Sequence, residues 1–226
     1  KTPADLYNLD VTVLVNLERM AKLSASNLIN AIENSKHTSL ERFVFALGIP
    51  DVGESTAKNL AKFFGNLERL MSAYPKTLQF VSDVGPEVAK SIYYFFREHH
   101  NQQVISHLRT SGLRWDIEKE INTPKNTSLS DFLFWLRKPV KYNVQEINWS
   151  GIDKLGKQKT ELLATHFGSI EKLMEADEHA LSQIEGINAT LANNIVKFFK
   201  EPVTLEVIRQ LQECNLHLTD RISEKN

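Results

Sequence analysis

The chain has 226 residues, of which 42% are hydrophobic and 24% are charged, and its formal net charge is −1. This composition is typical of a soluble protein of one large or two modest domains, and it argues against a strongly basic nucleic-acid-binding protein. No apolar run approaches the ~18 residues that cross a membrane, and the single cysteine, Cys214, excludes a disulfide framework or a cysteine-ligated zinc site within these residues.

The first residues carry no signal-peptide pattern, and the chain begins at Lys1 without a methionine. We therefore expect a piece of a longer protein that makes no membrane contact. We also expect it to be monomeric, and the single cysteine fits a reducing cytoplasm. Because the net charge is close to zero, any contact with DNA must depend on local geometry and a few well-placed cations.

Apolar residues recur at spacings of three and four along almost the whole chain, which is typical of amphipathic helices. No stretch of six or more residues alternates as a half-buried strand would, so the sequence predicts an all-α fold. The predicted helical segments, in chain order, carry Leu28, Ile29 and Ile32; Leu40, Phe43, Val44 and Leu47; Leu60, Phe63 and Phe64; Val88, Ile92, Phe95 and Phe96; and Val104, Ile105 and Leu108.

A polar segment in the middle of the chain, residues 119–128 (KEINTPKNTS), predicts a linker. The next helix is predicted to begin near Ser128, with Ser128 or Ser130 as its N-cap, and to end at Pro139. We accordingly divide the chain into a first unit, 1–115, a linker, 116–128, and a second unit, 129–226. The helix after Ser128 occupies the place that residues 27–36 hold in the first unit.

The two units are related by an internal duplication. Residues 48–113 align without a gap to residues 151–216, and 21 of the 66 aligned positions are identical. All nine glycines lie inside the two copies, and three of them coincide. Coincident glycines indicate a shared backbone path, because glycine readily enters positive φ and permits close approach.

Five shorter segments share a finer pattern, which consists of a helix, a short turn and a second helix. A small residue stands about four positions into the second helix. The five segments are residues 18–28, 50–60, 82–92, 153–163 and 185–195. This pattern resembles the helix-hairpin-helix motif, whose fullest form places a hydrophobic residue between two glycines. A glycine turn lets the backbone approach a phosphate, and the following helix presents free N–H groups at the positive end of its dipole. Such contacts hold DNA without reading its sequence.

The hairpins at Gly53, Gly85 and Gly156 are the best candidates for DNA contact. Elsewhere Ala21 replaces a glycine, Asp83 replaces a leading glycine, and Asn188 stands where Gly85 stands; we attribute this last change to the ease with which asparagine becomes left-handed. Lysine or threonine just after a turn adds a further polar contact. The predicted DNA-binding residues are Gly53, Glu54, Thr56, Lys58, Gly85, Lys90, Lys22, Gly156, Lys157, Lys159 and Gly186.

With these motifs placed, the first unit resembles the helix-hairpin-helix domain of bacterial NAD-dependent DNA ligases. An ordered series of short matches carries the resemblance: residues 2–7 (TPADLY), 17–20 (LERM), 24–28 (SASNL), 46–49 (ALGI), 52–54 (VGE), 83–85 (DVG), 95–96 (FF), Asn101, 104–105 (VI) and 112–115 (GLRW). Residues 116–226 are expected to depart from the family pattern, in which a BRCT domain usually follows, and to form a duplicate of the first unit instead.

The resemblance of the first unit and the internal duplication together imply two tandem helix-hairpin-helix units, of the helical type found in SAM domains and in RuvA domain 2. It also implies that they clamp nicked double-stranded DNA through the minor groove and the phosphates during replication and repair. NAD, magnesium and zinc are expected for the full-length enzyme. No cofactor, metal or catalytic residue is expected in this chain, which lacks the Lys-x-Asp-Gly adenylation motif.

Other functions remain open from the residues alone. A helical protein-interaction scaffold without DNA affinity would fit the near-neutral charge. A repair protein of another class, such as a nuclease subunit or a glycosylase, is a further alternative. Lys159 and Asp177 loosely resemble a glycosylase pair, but such catalysis needs a lysine in a dry pocket, and Lys159 lies among other charged residues. His99 and His100 have no metal-ligand spacing to other histidines.

Overall fold

The computed structural model describes residues 2–115, 127–142, 147–216 and 218. Within this part of the chain the secondary structure is helical apart from two strands of two residues each and one isolated bridge, so the predicted all-α class is confirmed. None of the described helices is long and apolar enough to cross a membrane. The predicted linker, 116–128, lies outside the described residues except for its last two.

The elements are, in chain order, a 3-10 helix, Pro3–Asn8; α1, Val11–Val15; α2, Lys22–Ser35; β1, His37–Thr38; α3, Leu40–Ala46; α4, Glu54–Phe64; α5, Leu67–Ser72; α6, Pro75–Leu78; α7, Pro86–Arg97; α8, His99–Thr110; β2, Arg114–Trp115; α9, Leu129–Leu136; α10, Lys157–Phe167; α11, Ile170–Glu175; α12, Glu178–Ser182; α13, Ala189–Lys200; and α14, Pro202–Glu213. They form two compact units, residues 1–72 with 87–120 and residues 73–86 with 121–226. Segment 73–86, which we assigned to the first unit from sequence, is thus grouped with the second.

The first unit is built around the packing of α3 against α4. Both helices contribute buried apolar side chains, including Phe43, Val44, Leu60 and Phe64, each of which stabilises the fold by about 1.5–3 kcal/mol. Strands β1 and β2 pair in parallel, with Thr38 opposite Trp115. The Trp115 ring then stacks on Phe43 at a centroid distance of 4.4 Å. Strand pairing and ring stacking therefore hold β2 against the core of the unit.

In the second unit α9 packs against α10, and α13 packs against both α12 and α14. Its core contains Phe132, Leu133, Leu163 and Phe198. The predicted start of α9 is confirmed, because the Ser128 side chain accepts a hydrogen bond from the backbone of Asp131.

Helix α6 is held in the second unit by polar contacts to α14. The backbone N–H of Tyr74 and the hydroxyl of Thr77 both donate to Gln210 Oε1, at 3.0 and 2.7 Å. Thr77 and Gln210 are buried, so this shared acceptor satisfies groups that would otherwise lose their hydration without compensation.

The duplication is reproduced in the backbone. Gly48 and Gly151 have φ of 66° and 65°, and Gly65 and Gly168 end α4 and α10 as left-handed C-caps with φ of 71° and 68°. Asn215 stands at the position equivalent to Gly112 and is also left-handed, with φ of 58°.

One predicted equivalence is wrong. Helix α9 aligns by position with residues of α2, but it packs against α10 as α3 packs against α4. The connection between the paired helices explains the discrepancy, since residues 47–53 join α3 to α4 whereas residues 137–156 join α9 to α10. The longer connection moves the partner helix back along the sequence while keeping the same contact.

The two equivalent glycines differ in their surroundings. A Cβ at Gly48 would meet nothing within 4 Å, whereas a Cβ at Gly151 would lie 2.3 Å from Arg137 O and 2.7 Å from Pro139 N, both backbone atoms. We expect Gly48→Ala to lower the free energy of unfolding by about 1 kcal/mol, the cost of a left-handed alanine, and Gly151→Ala to lower it by at least ~2 kcal/mol. Denaturant unfolding of both variants measures the difference, and equal losses would contradict the predicted clash.

Lys76 supplies a second prediction, because it is only 4% exposed. Its ammonium donates to Trp135 O at 3.1 Å and lies 4.1 Å from the Trp135 ring centroid. Burial, with a smaller contribution from the like charge of Lys138, lowers the pKa of Lys76 from 10.5 to about 8.

The unfolded chain therefore binds this proton more tightly than the folded chain does. The free energy of unfolding should rise between pH 8 and pH 10.5 by up to about 3 kcal/mol, at ~1.4 kcal/mol per unit of pKa difference. In Lys76→Met this rise should disappear, since the side chain keeps its volume and loses its charge. Urea unfolding across this pH range, performed on both proteins, tests the assignment; parallel curves would rule it out.

Candidate nucleic-acid interface

All five predicted hairpins share one turn conformation. In each, a left-handed residue stands two positions ahead of the residue that directly precedes the second helix. These left-handed residues are Arg19, Asp51, Asp83, Lys154 and Gly186, with φ of 67°, 64°, 66°, 61° and 85°. The turn therefore repeats at backbone level even though only one of the five positions holds glycine.

In four of the five hairpins the residue after the left-handed position anchors the turn in the core, whereas in the first hairpin this residue, Met20, is half-buried. Val52, Val84, Leu155 and Ile187 are all less than 9% exposed. Four positions into each second helix stands a small residue that is buried, and its small size permits close packing behind the turn, as the motif predicts. These residues are Ala25, Ala57, Ala89, Thr160 and Ala192.

The glycines that precede the second helices are not left-handed. Gly53 and Gly156 are the N-caps of α4 and α10, with extended φ, ψ angles of −84°, 179° and −77°, 170°. These are angles that any residue adopts. A Cβ at Gly53, Gly85 or Gly156 would meet nothing within 4 Å, so neither the backbone nor internal packing requires glycine at these positions.

No side chain caps α4 or α10 at the N-terminus. The first amide groups of an uncapped helix point outward with the positive end of the helix dipole and are available to an anion. Gly53 and Gly156 are themselves exposed. Each turn therefore combines an open approach with hydrogen-bond donors.

The fifth hairpin differs, and the explanation we gave for Asn188 is wrong. Asn188 is extended, with φ of −82° and ψ of 166°, and its side chain accepts a hydrogen bond from the backbone N–H of Leu191 at 2.9 Å. Asparagine serves here as an N-cap and not as a left-handed residue. Its carboxamide occupies a donor that the glycine-capped helices leave uncovered.

The predicted polar residues are unequally placed. Lys22, Glu54, Lys58 and Lys157 are exposed on the first two turns of α2, α4 and α10. Thr56 is buried, and so does not contribute to the exposed surface.

Two predicted lysines already have partners. Lys90 is half-buried, with its ammonium 3.8 Å from Glu87. Lys159 donates to Lys154 O at 3.4 Å, across its own hairpin. In the first unit the hydroxyl of Ser91 donates to Asp51 at 3.3 Å, so the first half of α7 adjoins the turn that leads into α4.

The part of the chain that the structure describes gives no geometric support to the alternative sites, namely the glycosylase-like pair of Lys159 and Asp177 and a metal site. Asp177 caps α12 by accepting from the backbone N–H of Ala180 at 2.7 Å, and the contact of Lys159 is to a carbonyl oxygen. Within the described ranges, no group of histidine, cysteine and carboxylate side chains could hold a metal ion.

Sequence reasoning missed two features of the site. The first is the left-handed residue, whose signal is its fixed distance of two positions before Gly53, Gly85 and Gly156. The second is a run of cations, Arg137, Lys138 and Lys141, in the connection from α9 to α10. The sequence RKPVK indicates this run, but it falls outside the repeat.

Comparison with known proteins identifies the motif. A family model described as "Helix-hairpin-helix motif" matches residues 42–105 and again residues 149–208. The two matched segments correspond to the two copies of the internal repeat and contain four of the five hairpins.

Similar proteins are DNA ligases. The chain is 39% identical to the DNA ligase of Pseudomonas aeruginosa strain LESB58 and 37% identical to that of Stutzerimonas stutzeri strain A1501, over 96% of this chain in both cases. It is also 37% identical to the DNA ligase of Pseudomonas putida strain GB-1, over 93% of this chain. The chain spans about a quarter of the length of these curated relatives.

The predicted resemblance to bacterial DNA ligases is thus confirmed. The expectation that residues 116–226 depart from the ligase pattern is wrong, because the similarity extends through both units. The two matched segments together cover more than half of the chain's residues, and the turn geometry repeats in both. The chain therefore belongs to the helix-hairpin-helix family.

Proposed function

We propose that this chain is the helix-hairpin-helix region of an NAD-dependent DNA ligase and that it binds nicked double-stranded DNA without sequence preference. The observation that carries the proposal is the environment of Gly53, Gly85 and Gly156. Nothing inside the protein requires glycine there, and each position is open to the exterior. A partner that approaches the backbone closely explains the absence of a side chain, and a phosphate is a fitting partner for uncapped helix amides.

In this proposal the chain positions DNA and leaves the chemistry to other parts of the enzyme. The turns engage phosphates beside the minor groove, with help from Lys22, Lys58, Lys157 and Lys159. The full-length ligase would use NAD to adenylate itself, pass AMP to the 5′-phosphate at the nick and join that phosphate to the 3′-hydroxyl, with magnesium and zinc held elsewhere. Such a monomer would act in the bacterial cytoplasm during replication and repair.

Binding through phosphates must weaken as salt increases, because each neutralised phosphate releases condensed counterions. We expect a plot of log affinity against log salt concentration to fall with a slope of roughly −3.5 to −5.5, corresponding to about four to six phosphates. Fluorescence anisotropy with a nicked duplex at several salt concentrations measures this slope. Two duplexes of unrelated sequence should give similar affinities. An absence of binding at low salt would favour the protein-interaction scaffold.

Substitution of the open glycines separates binding from folding. In Gly53→Ala/Gly156→Ala the free energy of unfolding should change by less than about 0.5 kcal/mol per site, because a small loss in N-cap preference is offset by a less flexible unfolded chain. The added methyl groups hold a phosphate away from the amides, so affinity for the nicked duplex should fall roughly tenfold, or ~1.4 kcal/mol.

Gly168→Ala is the matched control. Gly168 has φ of +68° and open space around it, and it ends α10 at the opposite terminus from Gly156. This variant should lose about 1 kcal/mol of stability and keep its affinity for DNA. Unchanged DNA affinity in the double variant, with its fold intact, would refute the role of the turns.

A further inference from the structure

The connection between α9 and α10 is longer than its counterpart in the first unit. It comprises residues 137–156, whereas residues 47–53 make the corresponding connection between α3 and α4. Its described residues are well anchored. Val140 and Trp149 exchange two backbone hydrogen bonds of 3.0 and 2.9 Å. The indole N–H of Trp149 donates to Leu136 O at 2.6 Å, and the backbone N–H of Tyr142 donates to Asn148 at 2.7 Å.

This connection is joined directly to the Gly156 hairpin. The backbone N–H of Ile152 donates to Arg137 O at 3.0 Å, and Gly151 lies so close to that carbonyl that no side chain fits. Ile152 is followed at once by residues 153–156, the turn that precedes α10. The start of the connection therefore lies beside the start of the hairpin.

Charge in the second unit is strongly polarised. Residues 137–159 contain six lysines and arginines and two acidic residues, whereas residues 160–216 contain four and nine. Lys138, Lys141, Lys154 and Lys157 are exposed, and among the described side chains none of them forms an ion pair with a carboxylate. Although the unit as a whole is negatively charged, residues 137–159 are locally positive, and a positive region attracts phosphates at short range.

The duplicated hairpins show the same contrast position by position. Lys154, Lys157 and Lys159 stand where the first copy has Asp51, Glu54 and Thr56. The second copy thus carries additional cations around its turn, and the longer connection that leads into this turn carries further ones.

We infer that Lys138 and Lys141 extend the Gly156 hairpin into a phosphate-binding surface that contacts the DNA strand beyond the phosphate held by the turn itself. This inference rests on the proposed function, because the ligand is the same sugar-phosphate backbone. Arg137 is not included in this surface, since its guanidinium packs over the Phe134 ring at 4.0 Å. The partner chemistry is a run of phosphodiesters along one strand, which surface lysines bind irrespective of base sequence.

The test compares two double variants of the full chain that remove the same charge. One is Lys138→Gln/Lys141→Gln. The matched control is Lys197→Gln/Lys200→Gln, two exposed lysines in the last turn of α13. Anisotropy titrations with nicked duplex at several salt concentrations give both affinity and salt slope. Circular dichroism melting of each variant establishes whether the fold is retained.

The first variant should bind roughly tenfold more weakly at ~0.1 M salt, and the magnitude of its salt slope should fall by about 1 to 2, one unit for each phosphate that the variant no longer neutralises. The control should match the unmodified protein. An unchanged slope in the first variant, or an equal decrease of affinity in both variants, overturns the inference.

These failures are distinct from failure of the proposed function. If Gly53→Ala/Gly156→Ala weakens binding while Lys138→Gln/Lys141→Gln does not, the hairpins bind DNA and the additional lysines do not. If the unmodified chain binds no duplex at any salt concentration, both proposals fall together.

Discussion

The backbone of one residue determines where each hairpin helix begins. A left-handed residue reverses the chain, and in four of the five hairpins the next side chain inserts into the core. The following residue directly precedes the helix, as Gly53 and Gly156 do in the extended conformation of an N-cap. Because the anchor is buried and a small residue sits behind the turn, the first amides of the helix cannot rotate inward. The open glycines, the exposed dipole end and the neighbouring lysines matter only because this reversal places them at the surface.

Glycine coincidence predicted the duplication and the location of the turns, and the structure agrees. It did not predict the role of each glycine. Gly48 and Gly65 are needed for positive φ, whereas Gly53 and Gly156 are extended and open. The left-handed positions hold arginine, aspartate and lysine in four of the five hairpins, and residue type alone gives no reason to expect positive φ at arginine or lysine. The prediction for Asn188 was wrong for the same reason, since asparagine suits both an N-cap and a left-handed turn.

Contacts distant in sequence were beyond the reach of periodicity. Segment 73–86 reads as part of the first repeat, yet Thr77 and Tyr74 share the buried Gln210 as acceptor. Lys76 follows Pro75 in a stretch that looks like an ordinary surface turn, and its burial depends on aromatic rings more than fifty residues away. Likewise, α9 replaces α3 in the packing although the two helices do not align. Spatial equivalence after a duplication follows contact geometry, which insertions can shift along the chain.

The carboxamide of Asn188 has a consequence for how the copies have diverged. A turn whose own side chain accepts a hydrogen bond from the helix amide has fewer free donors for a ligand, so its role can be purely structural. Turns that end in glycine leave polar backbone groups exposed, although no packing contact inside the protein requires glycine there. Copies of one motif can thus take different roles without a change of shape. The presence or absence of one amide oxygen distinguishes a copy with a structural role from a copy whose helix amides are open to a ligand.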